Sequence, residues 1–253
     1  HFLKINLNDL SSPIKEKWWK PNLTLSRNLS FKDAAENLRE LFLQSIKLHL
    51  RSDVPLGVAL SGGIDSSAIT CCVKYLEPHM DLHTFSYIAS DSDISEEYYV
   101  DIINKHTNAI DHKVYINSNE LEEDIKDLIL TQGEPFCTTS MYAQYRIFSE
   151  ARNNGIKVVL EGQGADEILA GYHGYYGQRM RSLFEEGKYL EMYNFSKNWS
   201  KWPGRENYSP WRAFVGQLLP DELYSFANNF LKINPPPNWI YDSDIKKFGI
   251  NKN

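Results

Sequence analysis

The sequence predicts an α/β protein: a doubly wound, mostly parallel sheet with helices on both faces, followed by a helical C-terminal part. Three observations carry this prediction. Short apolar segments of strand character alternate with helical segments between residues 30 and 172, and this alternation is typical of parallel sheets. Two of the strands run directly into glycine-rich polar loops, at 61–67 and 161–167. Beyond residue 172 the strand pattern stops, and residues 173–232 are helical in pattern and rich in aromatic side chains.

Hydrophobic spacing places each element of this sheet along the chain. In the first helix, apolar side chains recur every three or four residues from Phe31 to Leu50, which is the period of an amphipathic helix. The last helix of the sheet region ends at Gly155, a residue type that commonly terminates helices. Residues 1–25 contain short extended stretches. The predicted helices are 30–50, 68–76, 95–106, 121–130 and 141–153, and the predicted strands are 56–60, 82–88, 111–116 and 156–160.

Composition narrows the class of protein. The chain has 253 residues, of which 42% are hydrophobic, so it can bury a substantial core. Its net charge of −6 gives no electrostatic support for binding nucleic acid. No apolar stretch is long enough to cross a bilayer. The three cysteines show neither metal-binding spacing nor a disulfide framework. We therefore expect a cytoplasmic protein with no membrane and no nucleic-acid partner.

The most informative segment is the first glycine-rich loop with its flanks, residues 56–67. It reads LGVALSGGIDSS: an apolar strand and then a hydroxyl-rich turn that contains Gly62 and Gly63, and a helical pattern follows from Ala68. Glycine lets the backbone approach a ligand closely, and the first amides of a helix lack internal acceptors and therefore suit phosphate. Asp65 would repel a bare phosphate, so it predicts a magnesium ion between them. The simpler alternative is an ordinary serine–glycine turn with a capping aspartate.

The second glycine-rich loop reads EGQGADE over residues 161–167. Ligands of open parallel sheets bind at the carboxyl ends of the strands, so we expect both loops at one edge and Asp166 near Asp65. Two carboxylates that face a triphosphate predict one or two magnesium ions. Taken alone, Asp166 and Glu167 would be better explained as negative charges that stabilise the positive N-terminal end of the following helix. Paired with the first loop, Asp166 is the expected metal ligand, and the role of Glu167 stays open.

These motifs together resemble one family. The sequence SGGIDSS is similar to the PP-loop of ATP pyrophosphatases, and it matches neither a Walker A loop nor a dinucleotide fingerprint. With GEP at 133–135 and VVLEGQGADEILAGY at 158–172, the ordered set resembles the synthetase domain of asparagine synthetase B. The resemblance is clear over residues 30–175, and it implies an adenine nucleotide alpha hydrolase-like fold.

The resemblance implies a ligase that uses ATP and Mg²⁺ to form an amide bond. The aspartate side chain would be adenylated to β-aspartyl-AMP with release of pyrophosphate, and glutamine-derived ammonia would convert it to asparagine. The ammonia would come from an N-terminal glutaminase domain of the same full-length chain, and a homodimer is an arrangement that the resemblance allows. The implied domains are a linker from the missing glutaminase domain (1–29), the PP-loop synthetase domain (30–172) and a truncated helical extension (173–253).

The resemblance also assigns roles to residues of this sequence. Asp65 and Asp166 would hold magnesium, and Gln163 and Glu167 would act in catalysis. The residues expected to bind ATP or pyrophosphate are Leu60, Ser61, Gly62, Gly63, Asp65, Ser66, Ser67, Tyr87, Glu161 and Gly162. Tyr87 is also compatible with a core position. Gly133-Glu134-Pro135, expected near the same crevice, is equally compatible with a turn that ends a helix.

Two departures from the family pattern keep alternatives open. Gln163 stands where the family has a glutamate, and an amide cannot accept a proton at neutral pH. Either Glu161 or Glu167 would then serve instead, or the substrate differs. The family's later basic residues have no convincing counterpart in this sequence. A related amidotransferase or cyclase that acts on another carboxylate, and a degenerate nucleotide-binding module, are therefore the alternatives.

Overall fold

The computed structural model describes residues 1–22, 29–89, 95–116, 118–136, 138–172, 174–201, 205 and 209–219. The contacts of the chain divide it into two compact units, the first ending at Gly162 and the second beginning at Gln163. The domain boundaries predicted after residues 29 and 172 stay predictions. Residues 220–253, in the predicted helical extension, lie outside the described residues.

Every strand and helix predicted for the sheet region is present, with ends that agree to within about one helical turn. The strands of the described residues are β1 (Phe2–Asn6), β2 (Asp9–Glu16), β3 (Leu56–Ala59), β4 (His83–Ile88), β5 (Ile110–Tyr115) and β6 (Val158–Leu160). Their helices are α1 (Phe31–His49), α2 (Ile64–Leu76), α3 (Glu97–Thr107), α4 (Ser118–Gln132), α5 (Thr139–Asn153), α6 (Ala165–Leu169), α7 (Tyr175–Glu185), α8 (Tyr189–Trp199) and α9 (Pro210–Leu218).

The main sheet is parallel throughout, with the strand order β5-β4-β3-β6. The central strand β3 pairs on both sides, so that Val58 lies opposite Thr84 of β4 and Leu160 of β6. The carboxyl ends of β3 and β6 therefore reach the same edge of the sheet. The predicted parallel sheet is confirmed.

Helices cover both faces of this sheet. On one face, fully buried Val58 clusters with Val73 of α2, and on the other face fully buried Phe85 clusters with Ala151 of α5. The Phe85 ring also explains the glycine inside β3, because a Cβ at Gly57 would lie 2.8 Å from that ring. Burial of such side chains stabilises the fold by about 1.5–3 kcal/mol each. The predicted doubly wound arrangement is confirmed.

Two further parts complete the described structure. The first is an antiparallel hairpin of β1 and β2, where the sequence showed only extended stretches, and all its residues are exposed. In the second unit, α7, α8 and α9 bury a small core of Met180, Leu183, Met192 and Phe214, so the predicted helical part is present over its described residues. No helix among the described residues combines the length and the apolar character needed to cross a membrane.

Two histidines pair across neighbouring strands of the sheet. Nδ1 of His83 lies 2.9 Å from Nε2 of His112, and the Phe85 ring stacks on His112 with centroids 4.7 Å apart. Burial, and then the neighbouring His83, hold the pKa of His112 below its ordinary value, and they outweigh the carboxylates of Glu150 and Asp111.

This lowered pKa predicts that the fold loses stability in mild acid. The folded protein resists protonation of His112, so the unfolded chain binds more protons once the pH falls below about 6.5. We expect full stability above that pH and a falling free energy of unfolding as the pH decreases to 5.5. His112→Gln should flatten this slope in urea unfolding, whereas His79→Gln, at an exposed position, should not. Equal slopes for wild type and His112→Gln would contradict the prediction.

Candidate functional site

The turn between β3 and α2 requires glycine at Gly62. The residue has φ +87°, and a Cβ there would lie 3.0 Å from the carbonyl oxygen of Glu96 and 3.2 Å from the Cβ of Tyr99. Both the backbone conformation and the space therefore exclude larger side chains. The turn packs directly against the start of α3.

Two serine hydroxyls brace this turn from within. The Ser66 hydroxyl donates to the carbonyl oxygen of Gly63 at 3.2 Å and accepts the amide of Ser61 at 3.2 Å. The Ser61 hydroxyl accepts the amide of Gly63 at 3.2 Å and lies 3.0 Å from the Ser66 hydroxyl. These bonds hold the backbone shape of the turn. The predicted contact of both hydroxyls with pyrophosphate stays a prediction.

Helix α2 begins at Ile64, earlier than the sequence pattern indicated, because Gly63 serves as its N-cap. As a glycine, this N-cap has no side chain that could accept a hydrogen bond from the first amides of the helix. The amides of its first turn, which have no partner within the helix, thus remain available to an anion and carry the positive end of the helix dipole. Asp65 and Ser67, both half-buried, lie in this same turn.

The chain leaving β6 passes against this first turn of α2. A Cβ at Gly162 would lie 3.2 Å from the Cβ of Asp65 and 3.3 Å from the amide nitrogen of Ser66. Such contacts are tight, so the approach depends on glycine at this position. The predicted meeting of the two loops at one edge is therefore seen in the first unit, at Gly162.

Glu161 precedes this glycine and is bound by a residue that sequence reasoning missed. Nε2 of Gln144 lies 3.1 Å from Oε1 and 3.2 Å from Oε2 of Glu161, and both residues are half-buried. Gln144 shares a face of α5 with Ile147 and Ala151, which pack against the sheet. A polar residue at the N-terminal end of that apolar face was the signal available in the sequence.

Leu60 and Tyr87 occupy different environments. The Leu60 side chain is buried with Ile88 and Val100, and its amide donates to the carbonyl oxygen of Phe85 at 2.9 Å. Tyr87 is 40% exposed, so the core alternative considered for it is wrong. The contact of either residue with adenosine stays a prediction.

In the second unit, the three polar residues of interest lie on a short helix or just before it. Gln163 is exposed. The Asp166 carboxylate packs so closely on Gly171 that a Cβ there would overlap it. Glu167 is exposed and accepts a hydrogen bond of 2.8 Å from the hydroxyl of Tyr172, which raises the pKa of Tyr172.

Metal binding at this site stays a prediction. The described residues contain no group of three or more His, Cys, Asp or Glu side chains arranged to hold a metal ion. The set predicted from the sequence has two carboxylates, Asp65 and Asp166, with phosphate oxygens as the other ligands. The two aspartates belong to different units, and their proximity is likewise a prediction.

The GEP motif lies at the end of α4. Gly133 has φ +80°, and its amide donates to the carbonyl oxygen of Ile129 at 2.9 Å. This is the geometry of a glycine that terminates a helix. The helix-ending turn considered for this motif is therefore present in the structure.

Comparison with known proteins shows which family carries these features. Residues 37–226 match the family described as asparagine synthase. A putative glutamine-hydrolyzing asparagine synthetase 2 of Methanocaldococcus jannaschii is 32% identical over 64% of this chain and 31% of its own length. Glutamine-hydrolyzing asparagine synthetase 2 of Bacillus subtilis is 31% identical over 68% of this chain and 24% of its own length.

Asparagine synthetase B of Escherichia coli is 32% identical over 53% of this chain and 26% of its own length. The matches thus span less than a third of each of these relatives. Among solved structures, an NH3-dependent NAD synthetase from Campylobacter jejuni matches with a TM-score of 0.37 and 16% identity, over 57% of this chain and 62% of its own. Because the family match extends over most of the sequence, from residue 37 to residue 226, this chain belongs to the asparagine synthase family.

Proposed function

We propose that this chain supplies the ATP-dependent step of amide synthesis, in which the side-chain carboxylate of aspartate is adenylated and then converted to asparagine by ammonia. The observation that carries the proposal is the meeting of Gly162 with Asp65 and Ser66 at the N-terminus of α2, where the N-cap Gly63 has no side chain to bond the first amides. Two glycine-rich segments far apart in the sequence thereby border one anion-binding helix end. Family membership supports the same reaction.

The phosphates of ATP would lie on the β3–α2 turn. The first amides of α2 and the Ser67 hydroxyl would donate hydrogen bonds to the phosphate oxygens. The Ser61 and Ser66 hydroxyls hold the backbone shape of the turn. Tyr87 and the backbone at Glu161 and Gly162 would border the adenosine.

The residues of the turn fit a magnesium ion bound with the nucleotide. Asp65 places a carboxylate in the same helical turn as the free amides, and a carboxylate there tolerates phosphate when a cation lies between them. Asp65 and Asp166 would hold the ion, which would neutralise charge on the departing pyrophosphate. The chain itself supplies the amides that orient the phosphates.

The chemistry needs ATP because a carboxylate is a poor electrophile. The aspartate oxygen attacks the α-phosphorus and forms a new O–P bond, and pyrophosphate leaves with the electrons of the P–O bond that breaks. Ammonia then attacks the acyl carbon, a C–N bond forms, AMP leaves and the ammonium proton passes to a base. The site must orient the reactants and exclude water from the acyl adenylate. Gln163 cannot take that proton, so we assign it to a carboxylate, with Glu161 and Glu167 as the candidates.

Further parts of the proposal concern the whole protein. Relatives carry the words glutamine-hydrolyzing in their names, and we propose that a glutaminase domain of the same full-length protein supplies the ammonia here. A cytoplasmic location and a homodimer stay predictions.

A second candidate function is the adenylation of a carboxylate other than the aspartate side chain, by a related amidotransferase or cyclase. Gln163 favours it, because this residue is exposed and cannot act as a base where the family has glutamate.

Pyrophosphate release tests the proposed function and separates these candidates. The full-length protein, incubated with Mg·ATP and ammonium, should release pyrophosphate and AMP only when aspartate is added, with asparagine formed in equal amount. Release that depends on another carboxylic acid and not on aspartate would overturn the asparagine assignment and support the second candidate. A protein that binds Mg·ATP and releases no pyrophosphate with any carboxylic acid would overturn both.

The Asp65 carboxylate should be needed for binding of the metal-bound nucleotide. We expect Asp65→Asn to weaken Mg·ATP binding by about 10- to 100-fold, the range seen when residues that support metal sites are changed. Asp53→Asn, at an exposed position near the opposite end of β3, is the matched control and should bind normally. Calorimetric titration measures both. Unchanged affinity in Asp65→Asn would rule out Asp65 as a ligand.

The close approach at Gly162 should matter for binding more than for stability. Gly162→Ala would push the chain after β6 away from Asp65, and we expect about tenfold weaker Mg·ATP binding, which corresponds to about 1.4 kcal/mol. Gly155→Ala is the control, because its φ of +74° strains alanine but no atom lies within 4 Å. It should cost about 1–2 kcal/mol of folding stability and leave binding unchanged. Equal nucleotide affinity in both variants would contradict the role of the approach.

A further inference from the structure

A buried hydrogen bond ties helix α3 to the sheet. Asn104 of α3 is only 7% exposed, and its side-chain oxygen accepts a hydrogen bond of 2.7 Å from the hydroxyl of Thr84, which is fully buried on β4. Both side chains are short, so this bond holds the helix close to the strand.

This polar contact leaves buried donors without partners. Ser86 lies two positions after Thr84 and therefore on the same face of β4. Nδ2 of Asn104 and the hydroxyl of Ser86 have no hydrogen-bond partner among the described residues, although both are buried. Buried polar groups are normally paired, and unpaired ones destabilise a fold. An aliphatic side chain at position 104 would fill the space without this penalty, so stability alone does not explain an asparagine there.

The other contacts of α3 with the sheet fix its position less closely. Val100 packs in an apolar cluster, and apolar contact has no preferred direction. Lys113 of β5 forms ion pairs with Glu97 at 2.8 Å and with Asp101 at 2.6 Å, but these acidic side chains are 38% and 56% exposed. Ion pairs of exposed, flexible side chains constrain a helix weakly. A buried hydrogen bond has a defined length and direction, so it determines where α3 lies along β4.

The N-terminal end of α3 supports the β3–α2 turn. A Cβ at Gly62 would lie 3.0 Å from the carbonyl oxygen of Glu96, the N-cap of α3, and 3.2 Å from the Cβ of Tyr99. A helix transmits displacement as a rigid element, so a shift at Asn104 also moves Glu96. The turn that presents the first amides of α2 would then lose its support.

We infer that the hydrogen bond between Thr84 and Asn104 positions α3 against the β3–α2 turn and thereby keeps that turn in its nucleotide-binding shape. Both residues are buried and act through α3, so they are positioning residues that do not contact the ligand. The inference rests on the proposed function only in taking Mg·ATP as the ligand of the turn.

Two substitutions of Thr84 separate positioning from packing in calorimetric titrations of the full-length protein with Mg·ATP. Thr84→Val keeps the size and removes the hydroxyl, and it should weaken binding by about 2- to 30-fold, the effect of changing residues coupled to a distant site. Thr84→Ser keeps the hydroxyl and loses a buried methyl group. It should lower the urea midpoint of unfolding and bind like wild type. A residue with only a packing role would show the reverse order of affinities.

The double variant Thr84→Val/Asn104→Leu removes both partners of the bond. Because neither polar group of the pair is then left unpaired, its urea midpoint should equal or exceed that of wild type. Its Mg·ATP binding should nevertheless be about 2- to 30-fold weaker. Thr107→Val is the matched control, because the buried Thr107 hydroxyl bonds within α3, to the carbonyl oxygen of Ile103 at 2.8 Å. This control should bind like wild type.

Hydrogen exchange in the free protein gives a readout that needs no nucleotide. Peptides covering 95–103 should exchange faster in the double variant than in wild type, because the start of α3 is held less firmly. They should exchange at the wild-type rate in Thr107→Val.

Three results would overturn the inference. One is wild-type Mg·ATP affinity in Thr84→Val. Another is weaker binding in Thr84→Ser than in Thr84→Val, which would indicate a packing role. The third is unchanged exchange at the start of α3 in the double variant. If the double variant does not fold, the affinities of the two Thr84 variants decide.

These measurements contain neither aspartate nor ammonia, so their failure is distinct from failure of the proposed function. A protein that responds as expected to these substitutions but shows no aspartate-dependent pyrophosphate release would keep the inference and lose the asparagine assignment. A protein with that release and wild-type affinity in Thr84→Val would lose the inference alone.

Discussion

Parallel pairing of β3 with neighbours on both sides is the constraint on which the rest of the structure depends. Between β4 and β6, this strand is buried on both faces, and it leaves room for the Phe85 ring only because Gly57 lacks a side chain. Parallel strands bring their carboxyl ends to one edge. The turn after β3 and the chain after β6 meet there for that reason, and the Gly162 contact with α2 follows from it.

Much of this arrangement could be predicted from local sequence. Buried parallel strands read as short apolar runs and amphipathic helices show a period of 3.6, so the order of strands and helices was accessible without a structure. The SGGIDSS turn could also be predicted, because its adjacent glycines indicated a tight backbone. The structure gives the reason for Gly62, which has φ +87° and packs against the start of α3, where no larger side chain fits. The helix end at Gly155, where φ is +74°, follows the same reasoning.

The parts that could not be predicted depend on contacts between segments distant in the sequence. Helical periodicity did not indicate that Gly63 would cap α2 and bring Asp65 into its first turn. Nor did it indicate that the Ser66 hydroxyl would turn inward to the Gly63 carbonyl. Gln144 is the clearest case, because its partner Glu161 lies just after β6 and is 17 positions away in the sequence. Nothing in either residue alone identifies that pair.

The site therefore combines an open helix end with a polar side-chain pair at the end of the next strand. The helix end offers amides that await an acceptor, and the Gln144 amide holds the Glu161 carboxylate beside it. The anionic phosphate chain of a nucleotide is the complement of that helix end. This complementarity, more than any single residue, supports a nucleotide as the ligand of this edge of the sheet.

Hydrogen exchange measured by mass spectrometry tests this account most directly. Amides at the start of α2 lack acceptors within the helix, so they should exchange quickly in the free full-length protein and slow markedly when Mg·α,β-methylene-ATP is bound. We expect that protection in peptides covering 61–68 and 160–163, and none in peptides covering α8. Unchanged exchange in both segments while calorimetry shows the analogue bound would contradict the account.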